Sequence, residues 1–167
     1  MGNRAVAPRL CLGNGALYES IGSLAFPMGL VFHEDHLYIA DAGNHRIVKS
    51  SPSGEASVEF STGKGWKLDQ LVCPSSVAFH EGRLYIADWG NCRILRTKPE
   101  CAKAELCFGG RGSGLHQLLD PCSIAFHTGE MYVADFGNHR VLRLHPGETT
   151  ATLHFGGGGR GSTTKKL

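Results

Sequence analysis

Apolar residues in this chain come in short runs, not in helical stripes. Between residues 75 and 108 the run SSVAFH (75–80) is followed by Glu81 and Gly82, then by RLYIADW (83–89), Gly90 and Asn91, CRILRT (92–97), a turn led by Pro99, and AELCF (104–108). Runs of this length, rich in β-favouring residues and bounded by turn formers, predict four strands joined by tight turns. No window sustains a helical period over the roughly ten residues a helix needs, and 23 glycines punctuate the chain, so an all-β fold is expected.

The same pattern is written three times. Asp41, Asp88 and Asp135 are spaced by 47 residues, and the same interval separates Pro27, Pro74 and Pro121, then Phe32, Phe79 and Phe126, then His33, His80 and His127, and finally Pro52, Pro99 and Pro146. A fixed period marks a repeat architecture, and four antiparallel strands per unit of this length describe one β-propeller blade. Three complete blades are expected, at about residues 24–63, 71–110 and 118–157, inside a propeller segment 24–160 flanked by tails 1–23 and 161–167. Residues 9–15 (RLCLGNG) match 105–111 (ELCFGGR) and 152–158 (TLHFGGG), which predicts one surplus N-terminal strand at Arg9 to Leu12.

The run LYIADAGNHRIV (37–48), with P-x-x-[VIL]-x-F before it and FGG-x-G after it, resembles the NHL repeat, and the similarity extends over about residues 24–160. The resemblance implies a propeller that has six blades in the best-known members, of which three units would be half. WD40 repeats are the nearest alternative, and their Gly-His and Trp-Asp dipeptides are missing from the repeat ends.

A phrase joins the second and third strands of each unit: DAGNHR (41–46), DWGNCR (88–93) and DFGNHR (135–140). Gly43, Gly90 and Gly137 are expected to supply positive φ, and Asn44, Asn91 and Asn138 to tolerate the left-handed region. Asp41 should face Arg46 across the hairpin, as Asp88 should face Arg93 and Asp135 face Arg140, each pair fixing the loop and capping backbone groups. Catalysis rarely needs three equal copies of its site, so the phrase reads as a structural hinge.

His33, His80 and His127 form a symmetric set that reads either as turn caps or as a zinc site. Equivalent positions on neighbouring blades stand too far apart for ligand atoms about 2.0–2.1 Å from a metal, which favours the caps. Resemblance to the NHL-like peptidyl-hydroxyglycine amidating lyases would place metal ligands just ahead of the P-x-x segment, where this chain has Phe26, Cys73 and Asp120. That ligand set does not carry over, so no metal, cofactor or catalytic residue is assigned. Ser75 and Ser76 have no recurring acid or base beside them, and GGRGSG (109–114) lacks the Lys-Ser/Thr ending of a phosphate loop.

Positions that differ between copies are the better guide to function. Hinge loops and blade linkers should share one face, and there Trp89, Phe136, His139, Lys64, Trp66, Lys67, Arg111 and His116 vary, together with Ala42, His45 and Cys92. Aromatic and Arg side chains on a loop-rich surface suit a protein-binding hot spot. The expected function is therefore a non-catalytic interaction module that binds a protein or peptide through this face. Single-stranded RNA is the alternative partner, since propellers of the TRIM-NHL type bind RNA through a basic face, and a metal-dependent lyase-like activity comes third. Inward packing of Trp89 and Phe136 between blades is the competing structural reading.

Charge and cysteine usage narrow the setting. A net charge of +2 supplies no polybasic attraction to nucleic acid or membrane, and no apolar run reaches spanning length. Residues 1–13 hold no apolar core of secretory length. Of the six cysteines, Cys73, Cys92, Cys101 and Cys122 do not follow the period, so reduced thiols and a cytoplasmic or nuclear location are expected. Three blades leave two apolar end faces, which a homodimer closing a six-bladed ring would cover.

Overall fold

The computed structural model describes residues 23–158. Strands β1 (Pro27–His33), β2 (His36–Asp41), β3 (Arg46–Ser50) and β4 (Ala56–Phe60) form the first sheet in that order. Strands β5 (Pro74–His80), β6 (Arg83–Asp88), β7 (Arg93–Thr97) and β8 (Glu105–Gly109) form the second. The third holds β9 (Pro121–His127), β10 (Glu130–Asp135), β11 (Arg140–Leu144) and β12 (Thr152–Gly156). Every neighbouring pair is antiparallel, which makes three four-stranded propeller blades in sequence order. The stretch Arg9 to Leu12, read as a surplus strand, and most of both tails lie outside the described residues.

Turn chemistry sets each first hairpin. Glu34-Asp35, Glu81-Gly82 and Thr128-Gly129 are two-residue connections with positive φ at both positions. This is the turn whose twist matches that of the flanking strands. The register that follows pairs Asp41 with Arg46, Asp88 with Arg93 and Asp135 with Arg140 at the far end of the next hairpin.

The core lies between blades and not within one. Because side chains alternate along a strand, Leu84 and Ile86 of β6 pack with Tyr38, Ile47 and Phe60 of the first blade, while Tyr85 and Ala87 pack with Ile124, Met131 and Leu142 of the third. Each fully buried side chain of this size contributes roughly 1.5–3 kcal/mol of transfer free energy.

Two of the recurring histidines, His33 and His80, also pack at this interface, a contact beyond the turn caps expected of them. His33 stacks flat on Phe79 of the next blade with ring centroids 3.9 Å apart, and Tyr38 meets the same ring edge-on at 4.7 Å. His80 and Tyr85 treat Phe126 in the same way, at 4.4 and 4.7 Å. Each Phe is thus held by a His and a Tyr of the preceding blade.

Candidate binding face

The hinge pairs form as the sequence predicts and reach further than predicted. Asp88 is fully buried and accepts hydrogen bonds from the Val72 amide, Asn91 Nδ2 and Arg93 Nε, all at 2.7 Å. Asp41 takes the same three kinds of donor from Ala25, Asn44 and Arg46, and Asp135 from Leu119, Asn138 and Arg140. The rest of the Arg93 guanidinium donates to the carbonyls of Trp66, Lys67 and Gln70 at 2.7–2.9 Å, and Arg140 likewise holds Ser113, Gly114 and Gln117. The phrase therefore latches the incoming blade linker onto its blade. Burial pushes the Asp88 carboxyl up, while the Val72 amide, Asn91 and Arg93 pull it down, so the pairing opposes a desolvation cost.

The glycines of the phrase act differently from expectation. Gly43, Gly90 and Gly137 do not carry positive φ; the left-handed residue is the one two places later, His45, Cys92 or His139, at φ 57, 53 and 54°. Glycine is needed because a Cβ on Gly43 would lie 2.8 Å from Ala25 Cβ, and one on Gly90 or Gly137 would collide with Val72 or Leu119 of the linker. The Asn side chains also serve the linker, since Asn91 and Asn138 donate to the Gly65 and Gly112 carbonyls at 2.9 Å.

The linkers are locked against the hinge turns, and the variable residues there are mostly open to solvent. Lys64, Trp66, Lys67, Arg111, His116, Phe136 and His139 are exposed, and Trp89 is half-buried. Phe136, at 59% exposure, does not pack inward between blades. Its ring lies 6.2 Å from that of Trp89, which joins these two residues into one patch. Trp66 is 77% exposed on its linker and has no ring partner among the described residues.

Trp89 also borders an apolar cavity of about 360 Å³, lined with Phe26, Met28, Ala42, Gly43, Cys73 and Gly90. Phe26 and Met28, both exposed, were not selected as binding residues from the sequence. The criterion of variation between copies would have found them, because their counterparts are Cys73 and Asp120, and Ser75 and Cys122. Phe26, Cys73 and Asp120 share left-handed backbone, φ 49, 51 and 53°, where the chain turns into the first strand of each blade.

One histidine couples this face to pH. His45 Nδ1 accepts the backbone N–H of Cys73 at 3.1 Å, and burial, then the nearby Lys64, hold its pKa below the ordinary value. A depressed histidine contributes stability that is present above the unfolded pKa of about 6.5 and is lost as pH falls below it. The melting temperature should therefore fall more for the wild type than for His45→Gln between about pH 7.5 and pH 5. Equal falls would show that His45 carries no such linkage.

Among the described residues no group of three or more His, Cys, Asp or Glu side chains is placed to hold a metal ion. Cys73, Cys92, Cys101, Cys107 and Cys122 are free thiols, and burial raises the pKa of Cys107 and Cys122. No helix of the described residues is long and apolar enough to cross a membrane.

No protein-family model and no curated protein matches the sequence. Solved structures do match the fold. A nidogen/laminin complex aligns at 20% identity and a TM-score of 0.60, over 86% of this chain and 49% of that one. An auxiliary nutrient binding protein from Bacteroides ovatus aligns at 20% identity and 0.62, over 71% and 37%. A catalytically inactive virginiamycin B lyase from Staphylococcus aureus with quinupristin aligns at 14% identity and 0.58, over 81% and 42%. The chain spans less than half the length of each of these three, and what it shares with them is the fold: consecutive four-stranded blades of the propeller type.

Proposed function

We propose that this chain is an NHL-type propeller module without catalytic activity, and that it binds a protein or peptide at its loop face. The observation that carries the reading is the open apolar cavity lined by Phe26, Met28 and Trp89, with the exposed Phe136 ring beside Trp89, next to turns fixed by the Asp–Arg latches. Rigid aromatic anchors beside a preformed apolar pocket lose little entropy when a partner side chain enters. Structural neighbours named for a laminin complex and for nutrient binding support a binding role for this type of scaffold. The ligand class it suits is an extended segment with an aromatic or aliphatic anchor. The cytoplasm, or else the nucleus, is the setting we infer from the non-periodic cysteines.

Peptide display against the whole chain tests this. Trp66→Phe leaves Trp89 as the sole tryptophan, so its emission should shift on addition of a selected peptide. Trp89→Ala should weaken binding by about thirtyfold, the effect of a hot-spot side chain worth about 2 kcal/mol. Failure to select any peptide, or selected peptides indifferent to both Trp89→Ala and Phe136→Ala, would overturn the proposal. Exposed Lys64, Lys67 and Arg111 favour a second reading, single-stranded RNA. That reading requires an oligonucleotide affinity that falls steeply with salt.

A further inference from the structure

The interface between blades is built twice inside this chain, and the described structure holds the two unmatched halves of a third copy. Phe79 is seated by His33 and Tyr38, and Phe126 by His80 and Tyr85. Phe32 is the same residue at the same place in the first blade, yet it is 71% exposed. At the other end His127 and Tyr132 repeat the receiving pair, and no described blade lies against them.

Burial of the neighbouring positions follows the same logic. On the leading face Leu30 is 63% exposed, whereas its counterparts Val77 and Ile124 are 5% and 6% exposed. On the trailing face Phe155 is 67% exposed, whereas Phe60 and Phe108 are 2% and 3% exposed. The polar element has its half as well. Ser76 Oγ accepts the Ile124 amide across the internal junction at 3.2 Å, and Ser123, which holds the same position in the third blade, is exposed.

We propose that the trailing face of the third blade binds the leading face of the first blade in a second copy of this chain, with Phe32 of one copy seated between His127 and Tyr132 of the other. The occupant is specified by identity: the His, Tyr and Phe that make both internal junctions are all present, unchanged, on the two open faces. The copy number follows from the ring. Propellers close with about four to eight blades, and two copies of the three described blades give six, a count within that range. A twofold axis then makes the two new junctions equal and leaves no apolar face bare.

Light scattering on the eluting 167-residue chain at micromolar concentration tests this, and its outcome is independent of peptide binding at Trp89. A particle of twice the single-chain mass of 18.0 kDa is expected. Phe32→Glu should halve that mass while leaving the β-sheet circular dichroism unchanged, because the side chain is exposed in the single chain. Tyr132→Glu strikes the opposite face and serves the same purpose if the first variant does not fold. A wild-type chain that runs at 18.0 kDa, one that forms open assemblies of more than two copies, or a folded Phe32→Glu that keeps the doubled mass overturns the proposal.

Discussion

Arg93→Met should lower the free energy of unfolding by about 3–5 kcal/mol, the usual cost of removing one partner from a buried ion pair. The substitution leaves Asp88, at 0% exposure, facing a methyl group, and it also strips three linker carbonyls of their donor. Met keeps the apolar stem of Arg as far as Nε, so the loss reports mainly the guanidinium. Asp88→Ala removes the buried carboxylate itself and leaves Arg93 bonded to its three linker carbonyls, so its effect should be smaller, about 1–3 kcal/mol. Urea denaturation of the three proteins checks the order. A cost below about 1 kcal/mol for Arg93→Met would mean that the latch behaves as a surface pair.

Phe108→Ala should cost about 3–5 kcal/mol, whereas Phe155→Ala should change the stability of the isolated chain by no more than about 0.5 kcal/mol. The two residues are the penultimate positions of equivalent strands, β8 and β12, and belong to the same recurring motif. Phe108 is buried among Leu118, Ile124 and Met131 at the junction with the third blade, so its loss opens a cavity that packed neighbours cannot fill. Phe155 is two-thirds exposed and has no following blade against it among the described residues. The comparison belongs at dilutions where chains do not associate. Equal costs for the two would show that burial between blades is not what stabilises this fold.

The repeat made most of the fold legible. Strand length and turn residues are local, so RLYIAD could be read as a strand and Glu81-Gly82 as its turn without knowing what either touches. The Asp–Arg pairs were legible for the same reason, because hairpin register brings residues five apart into contact wherever the hairpin sits. What those pairs do beyond the hairpin was not legible. The Gly65–Gln70 linker that Arg93 and Asn91 hold lies more than twenty residues upstream.

The candidate face was half-readable. Variation between copies pointed to Trp89 and Phe136, which the fold brings together, but it also pointed to Trp66, which joins no ring cluster among the described residues. Phe26 and Met28 belong to neither hinge nor linker: Phe26 immediately precedes the first strand and Met28 is its second residue.

Three blades, their strand order and the hinge pairs follow from local sequence alone, because period-two alternation and turn chemistry act within a few residues of each position. Why Gly90 is glycine, what His33 stacks on, and why Phe108 is buried while Phe155 stands in solvent emerge only from how the blades pack. Those outcomes depend on which surface lies against which, and identical motifs meet different neighbours according to whether a blade stands in the middle of the stack or at its end.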